Sequence, residues 1–168
     1  MVQRLFAMTV APLLVLTLAR TASAQRSHPD FTGRWVLDTA RSEQNPLTPT
    51  TLEVTVERTG DTLQVTSHAV RQTVEATTKT ILDLAGRPTR NVISQGGTEF
   101  EFTTTTAWVG DSLKVTTVGT PQGQAMTQRA VWSLSADGKT LGYSLSVDVG
   151  VQHLAARLAL SRAPGPVK

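Results

Sequence analysis

Hydrophobic and polar residues alternate with a period of two from Phe31 to Arg162, the spacing at which successive side chains of a strand point to opposite faces. Phe31, Gly33, Trp35 and Leu37 share one face of a first strand, with Thr32, Arg34, Val36 and Asp38 on the other. Leu52, Val54 and Val56 repeat the stripe, followed by Leu63 and Val65 and then by Val74, Ala76, Thr78, Thr80 and Leu82. Phe100, Phe102, Thr104, Thr106 and Trp108 lie together, opposite Glu99, Glu101, Thr103 and Thr105. Leu113 and Val115, Met126 to Leu134, Leu141 to Val147, and Leu154 to Leu160 complete the series. With a weaker stretch from Arg90 to Ser94, the pattern predicts about ten strands.

Turn chemistry punctuates the stripes. The segment from Glu57 through Gly60-Asp61 to Thr66 is echoed by Ala107 through Gly110-Asp111 to Thr116. Glycine at the first loop position suits a type II′ hairpin, and Asp137-Gly138 suits type I′. Ala85-Gly86-Arg87-Pro88 and Gln95-Gly96-Gly97 fit two further hairpins. The Gly-Asp pairs do not space several oxygens over a calcium loop of about twelve residues, so they read as turns. Only Asp38 to Thr51 departs from the alternation; this stretch, with Pro46 and Pro49, is expected to hold one short helical turn and to cap one end of the molecule.

Short strands joined by tight hairpins, with no helices to cover a parallel sheet, predict an antiparallel meander. An open meander would leave unpaired edges, and these strands lack the charges and prolines that blunt them. The expected fold is therefore an all-β, antiparallel up-and-down barrel of about eight to ten strands, with a Greek-key sandwich as the structural competitor. A membrane-spanning barrel needs aromatic girdles and outward apolar faces, whereas few aromatic residues are present and the chain ends Ala-Pro-Gly-Pro-Val-Lys.

The motif Asp30-Phe31-Thr32-Gly33-Arg34-Trp35 resembles the Phe-x-Gly-x-Trp signature that opens the first strand of lipocalins and related calycin barrels. Its continuation, Val36 to Ser42, is similar to the start of small secreted bacterial lipocalin-like proteins. The resemblance implies a lipocalin-like barrel in which the tryptophan closes the floor and an arginine after the last strand packs across it. By that analogy Gly33, Trp35 and Arg162 form the closure, Arg162 sharing the parity of Leu154, Leu158 and Leu160, with Arg157 as the alternate. The chain lacks the Thr-Asp-Tyr motif and disulfide of many lipocalins, so no ligand carries over.

The N-terminus sets the expected address. Arg4 precedes an apolar run from Leu5 to Ala19, and Ala22-Ser23-Ala24 supplies a small-x-small cleavage pattern, so residues 1–24 read as a secretory signal peptide. Cleavage would leave one domain, 25–168, starting at Gln25 and working in the periplasm or outside the cell, with no later helical transmembrane segment. The chain contains no cysteine. A domain of that size buries roughly 70% of its unfolded surface and does not depend on disulfides. Removing Arg4 and Arg20 leaves fourteen basic and thirteen acidic residues without a basic run. That composition excludes the clustered positive charge of a nucleic-acid binder.

Candidate chemistry is sparse. The chain has three histidines: His28 falls in the N-terminal tail, and His68 and His153 have the polar parity, so all three are expected to face solvent. Their spacing offers no metal site, no cofactor motif is present, and Glu99 with Glu101 reads as a solvated face. The informative feature is polar residues of inward parity: Thr78, Thr80, Thr104, Thr106, Thr117 and Gln128. A buried hydroxyl needs a partner, which either a neighbouring carbonyl or a cavity supplies. The expected ligand site is a wall formed by Phe100, Phe102, Thr104, Thr106, Trp108, Gln128, Trp132 and Tyr143. The sequence thus points to an exported barrel that carries or senses a small, mostly apolar molecule. The alternatives are a barrel that binds a protein or glycan through its outer surface and, behind it, a barrel enzyme.

Overall fold

Each alternating stripe is a strand. The computed structural model describes residues 28–95 and 98–164. Its strands are β1 (Gly33–Leu37), β2 (Thr51–Thr59), β3 (Thr62–Arg71), β4 (Val74–Asp83), β5 (Thr89–Gln95), β6 (Thr98–Val109), β7 (Ser112–Gly119), β8 (Met126–Leu134), β9 (Thr140–Val149) and β10 (Gln152–Arg162). The segment read as a signal peptide, the Gly96-Gly97 turn and the end of the C-terminal tail lie outside the described residues.

The ten strands form one antiparallel sheet in the order β4-β3-β2-β1-β10-β9-β8-β7-β6-β5. The chain meanders, and β1 joins its two halves by pairing with β2 on one side and β10 on the other. The result is a nearly closed, lipocalin-like up-and-down barrel, with β4 and β5 meeting at a seam that has no backbone ladder. Side chains bridge that seam instead. Ile81 N donates to Asn91 Oδ1 (2.7 Å), Thr89 Oγ1 donates to Ile81 O (2.6 Å), and Thr106 Oγ1 donates to Asp83 O. Edge groups that would otherwise template association are thereby occupied.

Inward positions carry the core: Trp35, Val54, Val56, Leu63, Leu82, Leu113, Trp132, Leu141 and Leu160 are buried. Outward positions carry ion pairs such as Arg34–Glu53, Arg90–Glu101 and Arg129–Asp148, the reverse of the outward apolar band of a membrane-spanning barrel. Among the described residues no helix is long and apolar enough to cross a membrane.

Two turns follow the expected chemistry and two do not. Ala85 to Pro88, read as a hairpin turn, joins β4 to β5 without a backbone ladder between them. Gly60 and Gly110 have φ of 59° and 60°, and Asp61 and Asp111 are not among the residues of positive φ, as a type II′ turn requires. The Asp137-Gly138 turn is a correction. The last β8–β9 pair is Leu134↔Leu141, so the loop is longer than two residues, and it folds through a Gly138 N to Ser135 O bond of 2.8 Å. Only Gly138 has positive φ there, whereas type I′ needs it at both positions.

The 38–50 stretch forms turns and no helix. It runs beside β10, with Asp38 N on Ala159 O and Glu43 N on Arg157 O, both at 2.8 Å. Asn45 Nδ2 adds a bond to Ala155 O at 3.1 Å. These bonds give it the place in the wall that the short β1 leaves vacant. A short 3₁₀ turn at Pro121–Gly123, between β7 and β8, was not foreseen.

Candidate functional site

The β2–β3, β6–β7 and β8–β9 hairpins and the loop joining β4 to β5 turn at one end of the barrel, together with Trp35 and Arg162, and this end is filled. Trp35 is fully buried and its indole donates to Phe31 O at 2.9 Å. Arg162 lies over its ring, 4.2 Å from the centroid, and donates to Thr32 O (2.8 Å) and Gly138 O (3.0 Å). This is a cation–π contact that also caps two carbonyls. Gly33 is shaped by it. Its φ is +126°, and a Cβ there would stand 2.8 Å from Arg162 Nη1.

Above this floor the barrel is hollow. A cavity of about 530 Å³ occupies the interior. Its origin is side-chain length: Ser67, Ala69, Ala76, Thr78, Thr80, Thr104 and Thr117 all line it, and such short side chains leave the axis unfilled at close-packing distances. The lining also includes Arg71, Gln72 and Val74 at the β3–β4 turn, all exposed, so the cavity opens at the end opposite Trp35. Leu47 and Pro49 of the 38–50 stretch form part of its wall.

The cavity wall is mainly apolar, crossed by hydrogen-bonded polar groups. Asn91 is 4% exposed and donates through Nδ2 to Thr104 Oγ1 at 3.0 Å. Thr104 Oγ1 lies 3.0 Å from Thr117 Oγ1, and Ser67 Oγ lies 2.6 Å from Thr78 Oγ1. Both sequence expectations for the threonines therefore hold together: they bond neighbours, and several also face a cavity. Tyr143 is partly accessible yet desolvated, since its free surface looks into the barrel rather than bulk water; burial pushes its phenol up to about 12. The buried Trp132 indole N–H has no hydrogen-bond partner among the described residues.

Of the eight residues expected in the ligand wall, Phe102, Thr104, Gln128, Trp132 and Tyr143 line the cavity, while Phe100, Thr106 and Trp108 do not. The three departures share one reason: parity selects a face, but depth along the strand selects the neighbours. β6 is twelve residues long, about 40 Å at the usual strand rise. Trp108 thus falls at the floor, where His28 stacks on it at 3.9 Å and Phe31 lies 6.0 Å away. Thr106 is committed to the β4–β5 seam. Phe100 stands near the other end of β6, half-buried and outside the lining. His28 is exposed, as expected, but it stacks on Trp108 from outside rather than hanging in a loose tail. His68 and His153 are exposed, the latter 2.6 Å from Asp148 Oδ1.

Asn91 and Ser67 were missed. Asn is a poor strand former that usually signals turns, and it sits in the weakest stripe. The signal available was parity, since Asn91 alternates with Thr89 and Ile93, and Ser67 continues Leu63 and Val65.

No protein-family model matches this chain, and no curated protein matches it. Solved structures do match. Secretory abundant heat soluble protein 4 from Ramazzottius varieornatus superimposes with a TM-score of 0.54 at 10% identity, covering 79% of this chain and 94% of that one. A point mutant of the fluorescent protein UnaG superimposes with a TM-score of 0.50 at 17% identity, covering 80% and 97%. At these identities the likeness is one of fold, an antiparallel β-barrel.

Proposed function

We propose that this chain is exported and that its barrel, 25–168, carries or senses a small, mostly apolar ligand held in the interior cavity. The observation that carries the reading is the cavity itself. At about 530 Å³ it falls within the roughly 300–1,000 Å³ of small-molecule sites, and it has their usual make-up of apolar lining and a few placed polar groups. Trp132 and Tyr143, 5.9 Å apart, offer an aromatic surface to such a ligand. Export is supported by the Arg4, Leu5–Ala19 and Ala22-Ser23-Ala24 pattern.

A neutral environment-sensitive dye, Nile red, tests the cavity reading. It should bind one to one, brighten, and quench tryptophan fluorescence, and Trp132→Phe should weaken that quenching because neither Trp35 nor Trp108 lines the cavity. No binding at tens of micromolar would end the reading. Export is tested separately, by sequencing the N-terminus of the protein recovered outside the cytoplasm. A start at Gln25 is expected, and retention of residues before Ser23 would count against it.

A further inference from the structure

Following the protons along the Asn91–Thr104–Thr117 chain gives the polar wall a direction. A backbone N–H only donates, so the 2.7 Å bond from Ile81 N fixes the Asn91 carboxamide oxygen on that side. The amide nitrogen of Asn91 therefore donates to Ile81 O at 3.1 Å and to Thr104 Oγ1 at 3.0 Å. Thr104 is 1% exposed, and its other partner among the described residues is Thr117 Oγ1 at 3.0 Å. A hydroxyl has one proton to give. Having accepted from Asn91, Thr104 gives its proton to Thr117; otherwise a buried O–H would have no acceptor. Thr117 is then left with its own proton and with the cavity that it lines. Gln128 stands directly opposite Thr117 in the β7–β8 register and lines the same cavity. Its carboxamide has no partner among the described residues.

We propose that this wall binds an uncharged oxygen acceptor, the carbonyl of a ketone, ester or amide on an otherwise apolar ligand, with the Thr117 hydroxyl as donor. The proposal rests on the cavity-binding reading and specifies the ligand class for it. A pure hydrocarbon leaves Thr117 and Gln128 facing apolar atoms, which costs the unmade bonds. A carboxylate leaves a charge without a counter-charge: Arg71 is the cation among the described cavity-lining residues, and it is exposed at the β3–β4 turn, whereas the polar wall is built on β5 to β8. An unpaired charge at a desolvated site is more costly still. A carbonyl satisfies the wall and brings no charge.

Displacement of Nile red by three ligands of equal chain length separates these cases: methyl nonyl ketone, undecanoate at neutral pH, and undecane. The ketone should displace the dye at the lowest concentration. Thr117→Val should weaken the ketone about fivefold to tenfold, the value of one hydrogen bond, and should tighten undecane, which no longer faces an unpaired hydroxyl, while Thr117→Ser should restore the ketone. Circular dichroism and dye binding of each variant establish that it is folded. Undecanoate binding more tightly than the ketone, or equal ketone affinity in wild type and Thr117→Val, would overturn the ligand class while leaving the cavity reading standing. Failure of the wild type to bind Nile red would overturn both.

Discussion

At the floor of the barrel Trp35, Phe31, Leu113 and Leu160 are each at most 1% exposed, and a guanidinium seals the outermost ring. Halfway up, on β5 to β8, the same inward parity delivers Asn91, Thr104, Thr117 and Gln128 to the edge of a cavity. Both regions come from one alternating pattern, so parity does not separate them; side-chain volume at a given depth does. Long apolar side chains meet across the axis and exclude water, whereas threonines stop short and must find hydrogen-bond partners. The floor is consequently a stability device, and the wall, apart from the seam-bridging Asn91, a place where composition can vary without loss of the fold. That difference predicts opposite responses to mutation.

Trp35→Ala should produce the largest change. The ring is fully buried, holds a 2.9 Å bond to Phe31 O and supports Arg162, so its removal should cost about 3–5 kcal/mol, read from urea denaturation. A loss below about 1 kcal/mol, within the range of surface substitutions, would erase the contrast between floor and wall.

Gly33→Ala should come next. Alanine at φ +126°, with its Cβ 2.8 Å from Arg162 Nη1, should cost about 1–3 kcal/mol in backbone strain, with a further loss as the guanidinium is displaced. Combining it with Arg162→Ala separates the two. The clash disappears with the arginine and the strain remains, so the double variant should lose less than the sum of the singles. Strict additivity would show that Gly33 is needed for its backbone alone.

The two regions were unequally legible in the sequence. Strand positions and the floor could be read because alternation and a motif containing Gly33 and Trp35 act locally. The wall was legible only in part: Thr104 and Gln128 were placed by parity, but Trp108 and Thr106 share that parity and lie elsewhere. Depth is set by register and strand tilt around the barrel, which depend on partners distant in the chain. The seam was misread for a related reason, because the tilt that holds two consecutive strands apart is set by the whole barrel. The turn at Ala85 to Pro88 suggests that β4 and β5 meet, but nothing near position 91 reveals that Asn91 replaces a backbone ladder between them.

Tyr143 sharpens the comparison from the cavity side. It is the sole tyrosine, so the tyrosinate absorbance reports it alone. Burial raises its phenol from 10 to about 12. The unfolded chain ionises near the lower value and the folded chain retains its proton. This contribution to stability is therefore complete below pH 10 and is lost as pH rises through the window up to about 12. A titration midpoint near the ordinary tyrosine value would mean that water fills the cavity around the ring.

Gln128→Leu should give the smallest change in stability and the clearest change in selectivity. The side chain is half-buried, lines the cavity and faces Thr117 across the β7–β8 pair. Leucine is similar in size and replaces a carboxamide that has no protein partner among the described residues, so no packing is lost and no hydrogen bond is broken. The midpoint of urea unfolding should stay within about 1 kcal/mol of wild type, the scale of substitutions that leave cavity volume and buried networks alone. Nile red should still bind, since its apolar body needs only the volume. Preference between matched polar and apolar ligands should move toward the apolar one, because the wall loses a donor and an acceptor together. A floor residue cannot behave this way: at Trp35 selectivity and stability would fall together. If Gln128→Leu unfolds the protein instead, the wall is as much a part of the core as the floor, and the division between a packed end and a tunable one fails.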